Sequence, residues 1–196
     1  TPSDFGLVGQ EPTHPELMDY LASKLLEGDW SLKRLHREIL RSSFYQMTSR
    51  VLGDEQQRVA WRNSLKVDPK NRYWSRFPRR RLDAESIRDA MLAVSGLLNT
   101  EVDGPGVRPP LPAELVKTLK NGQWKVSEKT SDHYRRSIYI FARRNLTYPL
   151  FATFDRPAAN CTCAERVDST TPLQSLSLLN SDFTRELVES VRRLQQ

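Results

Sequence analysis

The chain has 196 residues, 38% apolar and 28% charged, which reads as one soluble domain long enough to bury a core without disulfides or metals. Four Trp, six Tyr and seven Phe exclude a disordered composition, and no run approaches the roughly eighteen apolar residues of a membrane span. Thirty Lys and Arg against 24 Asp and Glu give a formal charge of +6, which leaves nucleic acid, anionic lipid and acidic glycan open as partners, although the signs alternate as on an ordinary solvated surface.

The chain opens at Thr1 without a basic-then-apolar signal segment and stops at Gln196 inside a helical pattern, so both ends read as cut from something longer. Residues 1–12 are an extended lead-in. Thr13, Pro15 and Glu16 form a helix start, with Leu17, Met18, Leu21 and Leu25 on one side and Gly28 as the stop. Ser31 caps a second helix running to about Met47, with Leu32, Leu35, Ile39 and Leu40 as its stripe and Trp30 as a staple to Leu35. Val59, Trp61 and Leu65 predict a short helix ending before Asp68 and Pro69. Asp83 caps the next, whose face is Ile87, Met91, Val94 and Leu98.

Residues 99–134 carry Gly104-Pro105-Gly106 and Pro109-Pro110-Leu111-Pro112 and read as a long loop insertion with one helical turn near 113–120, a candidate lid or contact surface. Residues 136–144 alternate in a way that predicts a strand covered on both faces. Thr171, Pro172 and Gln174 start a helix carrying Leu173, Leu176 and Leu179, and Ser181 or Asp182 caps the last, with Phe183, Leu187, Val191 and Leu194. The expected fold is therefore mainly α, a helical domain with a small β element.

Few residues carry recognisable chemistry. Cys161 and Cys163 are too close for an unstrained disulfide and read as two small buried or semi-buried thiols. His14, His36 and His133 are scattered without metal-ligand spacing, and His36, beside Leu35 and Ile39, reads as a hydrogen-bonded core histidine. No nucleophile elbow, phosphate loop or dinucleotide fingerprint occurs, so no metal and no cofactor is expected. Glu85 and Asp89 share one helix face and could serve as acid and base; surface pairing with Arg81 or Arg88 is the blander reading. Arg79-Arg80-Arg81 and Arg143-Arg144 are the distinctive clusters. They suit a packed salt-bridge network with Asp83, Glu85, Asp89 or Asp155, and secondarily anion recognition.

Several segments taken together resemble a known family: Thr1 to Gly6, His14 to Leu17, Trp30 to His36, Asp68 to Arg72, Arg79 to Glu85 followed by Ile87 to Ala90, Arg136 to Tyr139, Arg143 to Asn145, Phe154 with Asp155, and Ser169 to Gln174. In order and spacing they are similar to the DUF1553 family, also called the planctomycete PSD1 domain, over nearly the whole chain. The resemblance implies a large exported bacterial protein, hence a periplasmic or extracellular place, with c-type cytochrome and DUF1549 domains as flanking partners and sometimes lectin-like modules. Cys163 matches the family's usual cysteine and Cys161 is extra. An upstream segment containing Trp and His and a downstream helical region of the family are missing.

The expected function is an accessory or interaction domain of such a protein, tied to cytochrome-linked glycan use. The alternative is a hydrolase of a small ester, lactone or glycoside, with Glu85, Asp89, Asp155 and His36 as acid–base residues and Arg81 or Arg144 on an oxyanion. Nucleic-acid binding through Arg79 to Arg81, with Tyr73, Trp74 and Phe77 stacking, stands third, because export weighs against it.

Overall fold

A computed structural model describes residues 6–51, 53–120, 123–160 and 162–195. They form two compact units, the first ending at Arg80 and the second starting at Arg81. Among the described residues there are nine α-helices, and the architecture is mainly helical without a sheet.

The first unit holds α1 (Pro15–Glu27), α2 (Leu32–Arg41) and α3 (Glu55–Val67). Pro15 opens α1, but the N-cap is His14 and the predicted capping box does not form; Thr13 instead hydrogen-bonds the His14 ring. Ser31 caps α2 as predicted, accepting from the Arg34 amide. α2 ends at Arg41 rather than Met47, because the Ser42 hydroxyl donates to the Ile39 carbonyl and its amide does the same, closing the last turn. α1 packs against α2, and Tyr20 reaches Glu38 at 3.1 Å. A turn over 68–77 is closed by side-chain hydrogen bonds to its own backbone. The Asp68 carboxylate accepts the Arg72 and Tyr73 amides at 2.8 Å each, and Arg76 reaches the Asp68 and Pro69 carbonyls at 3.0 Å. Trp74 stacks with His14 and with Phe44.

The second unit is built on α4 (Ala84–Val94), with α5 (Ala113–Thr118), α6 (Thr130–His133), α7 (Pro149–Thr153), α8 (Pro172–Asn180) and α9 (Asp182–Leu194). α4 packs on α7 and α9, and α8 packs on both of these. The core is Ala84, Val107, Ile140, Tyr148, Leu150, Phe151 and Phe154, with Ile87 and Phe183 against it. On α8 the predicted apolar stripe is wrong: Leu173, Leu176 and Leu179 are exposed and Gln174 is the buried residue.

The strand predicted over 136–144 does not form. Ser137–Tyr139 is a turn of 3₁₀ helix, and only isolated bridges link Val107 to Ile140 and Arg143 to Leu146. The physical reason is that side chains of α4 take the backbone groups a neighbouring strand would need. Asp89 accepts the Ser137 amide at 2.7 Å, and Arg88 donates to the Arg135 carbonyl at 2.9 Å. The predicted loop over 99–134 contains α5 and α6 and is tied down by Arg135. That buried guanidinium donates to the carbonyls of Glu101, Asp103 and Pro105 and lies 3.9 Å from the Tyr139 ring centroid.

Candidate functional site

Three carboxylates singled out in the sequence stand on or near α4 in the second unit, and each is engaged. Asp155 ends α7 with φ of 61°, a left-handed conformation that Asp tolerates and that turns the chain after the helix. Its Oδ2 accepts from Arg81 at 2.7 Å, from the Ser169 hydroxyl at 2.7 Å and amide at 3.0 Å, and from Gln174 at 3.4 Å. Glu85 is held by Arg166, at 2.7 and 3.3 Å to its two oxygens, and by Arg156 at 3.2 Å. Asp89 takes the Ser137 amide and lies 3.5 Å from Arg136 and 4.0 Å from Arg88.

These partners act on the acidities. The Ser169 hydroxyl and amide, with Arg81 and Gln174, hold the Asp155 carboxyl below its ordinary value against a weaker opposing effect of burial. For Glu85, burial pushes upward, but the Arg166 hydrogen bond, the Glu85 amide and the charges of Arg166 and Arg156 outweigh it, so it too is lowered. A carboxylate with lowered pKa and filled lone pairs is a poor proton carrier near neutrality. The sign for stability follows from linkage. Asp155 contributes fully above its unfolded value of about 3.9, and the contribution is lost as pH falls through its lower folded value. The melting temperature of Asp155→Asn should therefore lie below wild type by a constant margin above about pH 5, and the margin should shrink below about pH 4. A margin independent of pH down to acid unfolding would contradict this role.

The arginines divide differently from their sequence clusters. Arg81 joins Asp155 and lies 3.7 Å from Asp168. Arg79, Arg80 and Arg144 are exposed and form no ion pair among the described residues, against the network expected of them. Arg143 donates to the Gln123 carbonyl at 2.8 Å. Arg88 is fully buried. It donates to the carbonyls of Arg135 at 2.9 Å and His133 at 2.5 Å and to the Ser137 hydroxyl at 3.3 Å, with the Phe183 and Tyr148 ring centroids 5.5 and 6.0 Å away. It is a clasp on backbone carbonyls rather than a surface ion pair.

His36 belongs to the other unit and is exposed, which corrects its reading as a core histidine: α1 is the only described helix packed on α2, so that face stays open. Cys163 is exposed as well, not a buried thiol, and Cys161 lies outside the described residues.

Elsewhere in the second unit lies a cleft of about 780 Å³ lined by residues 109–114, His133, Tyr134, Tyr148 to Leu150, Ser177, residues 180–183 and Glu186. Its walls are built by identifiable contacts. Trp124 Nε1 donates to the Pro109 carbonyl at 2.8 Å, fixing the proline run, and His133 is set by Arg88 from below and by its own ring at 2.8 Å from the Ser127 carbonyl. Tyr134 donates its hydroxyl to Glu186, which pushes the phenol up to about 12 and keeps it a donor. Burial pushes the Tyr148 phenol up as well. The cleft thus combines aromatic and proline surface with a few hydroxyl, amide and carboxylate groups, the ordinary makeup of a small-ligand site.

Sequence reasoning missed Arg156, Arg166 and Ser169 as partners of the carboxylates, and of the cleft it singled out only the loop over 99–134 as a candidate contact surface. Gln174 was visible only as a capping residue; its amide also reaches the Thr153 carbonyl and Ser169.

A family model described as PSD1, protein of unknown function (DUF1553), matches residues 1–195, and the chain belongs to that family. No curated protein and no solved structure matches it.

Proposed function

We propose that the chain is a binding and interaction domain of a larger exported bacterial protein, and that the cleft of the second unit holds a segment of neutral glycan. The observation that carries this reading is the lining of the cleft. Tyr134, Tyr148 and Phe183 offer apolar faces to the C–H surface of a sugar ring, while Asn180, Ser181 and Glu186 offer hydrogen-bond partners to its hydroxyls. The volume, about 780 Å³, suits a short oligosaccharide. The carboxylates of the hydrolytic alternative are occupied by arginines and backbone amides, which favours binding over turnover. The family resemblance supports export to the periplasm or beyond and flanking c-type cytochrome and DUF1549 partners.

Calorimetry with neutral oligosaccharides tests the reading. Binding should weaken about tenfold on Asn180→Ala and again on Glu186→Ala, each removing one hydrogen bond of about 1.4 kcal/mol. No retention on any polysaccharide, together with steady turnover of a small ester or glycoside, would defeat it.

A further inference from the structure

Around α2 the residues separate by type. At about 100° per residue, Leu32, Leu35, Ile39 and Leu40 fall in a sector about 140° wide that also holds His36, and Lys33, Arg34, Arg37 and Arg41 fill a sector about 100° wide beside it. Four cations thus stand against one carboxylate, Glu38, in ten residues. Most of the apolar sector is uncovered: Leu32 is 59% exposed, Leu40 49% and Ile39 38%, while Leu35 at its edge is half-buried, and Trp30 just ahead of the helix is 70% exposed. Where the sectors meet, Lys33, His36, Arg37, Leu40 and Arg41 line an open depression.

We propose that α2 with Trp30 is a docking surface for an anionic lipid bilayer. The two sectors ask for different things, and a bilayer supplies both. The acyl boundary takes Leu32, Ile39, Leu40 and Trp30 out of water, and headgroup phosphates meet the cations, with the depression receiving one phosphate between Lys33, Arg37 and Arg41. A nucleic acid would satisfy the cations and leave the aliphatic side chains wet. A second copy docking through the same face would set like charges against each other. The surface is independent of the cleft and of any glycan in it.

The test is co-sedimentation of the whole chain with phosphatidylcholine vesicles containing or lacking about 30% phosphatidylglycerol. The anionic vesicles should bind at least about tenfold more strongly, and the preference should collapse as salt rises to about 0.5 M. Leu40→Asp should cut binding about tenfold while leaving circular dichroism unchanged, since the side chain is exposed. Arg34→Gln with Arg37→Gln should remove the anionic preference and leave any weak binding to neutral vesicles. Equal binding to both vesicle types, no binding, or binding indifferent to Leu40→Asp would overturn the proposal. Tight association with soluble polyglutamate that Leu40→Asp does not weaken would also overturn it and assign the face to an acidic protein.

Discussion

Replacing Arg88 with methionine is expected to destabilise the second unit by about 3 kcal/mol, read as a shift in the urea midpoint by circular dichroism at constant slope. The size follows from what Arg88 holds. Its guanidinium is inaccessible to water and satisfies the Arg135 and His133 carbonyls and the Ser137 hydroxyl, groups about 45 residues or more distant in sequence. Each buried acceptor left without a donor costs roughly 1–3 kcal/mol. Part of that loss is offset, because burial disfavours the charged guanidinium and lowers its pKa, and the nearest carboxylate, Asp89, is 4.0 Å away. Methionine is chosen to retain contact with the Phe183 and Tyr148 rings, so that the loss reports the hydrogen bonds. Arg88→Lys keeps the charge but cannot span the acceptors as a planar fork, and should recover less than half of the loss. A change within about 0.5 kcal/mol for Arg88→Met would mean that water or other donors take over the carbonyls. The same variant should loosen the cleft, since His133, Tyr148 and Phe183 all line it.

Local signals in the chain were legible to the extent that they act locally. Pro15, Ser31, Asp83 and Ser181 mark helix starts within a few residues, because caps and first-turn prolines act through neighbouring backbone. Membership of the PSD1 family was legible for a different reason, the order and spacing of many short segments. The strand over 136–144 failed because alternation reports which side chains are apolar and is silent about who pairs with the backbone. Here the partners are Asp89 and Arg88, on a helix some 47 residues earlier. The carboxylates at 85, 89 and 155 were read as acid–base candidates or ion-pair members with Arg81 or Arg88 as partners; Arg81 does join Asp155, but the partners of Glu85 were not foreseen. Arg166 is 81 residues from Glu85, and no spacing rule connects them. Of the cleft only the proline-bearing loop stood out as a candidate contact surface, because the other walls are helix ends and single residues of other turns, none of which is a motif by itself.

Hydrogen exchange is expected to separate the two units, with most amides of residues 6–80 exchanging at least about 100-fold faster than those of α4, α7 and α9. The reason lies in burial. Every buried apolar side chain among the described residues belongs to the second unit, where Leu92 and Phe151 are fully enclosed. In the first unit Leu26, Leu32, Leu40 and Val59 are all exposed, and no other described helix packs on α3. Fully burying one such side chain is worth roughly 1.5–3 kcal/mol, so two of them already set a difference of about 100-fold in opening. Within the first unit the pattern should be uneven. The Arg72 and Tyr73 amides, both held by the Asp68 carboxylate, should be its slowest, and those of α3 among its fastest. Uniform protection across residues 6–195 would show that burial does not set the opening energies here. Vesicles of anionic lipid add a discriminating condition: α2 should gain protection while α3 does not, since only α2 joins a largely uncovered apolar sector to an adjacent band of four cations.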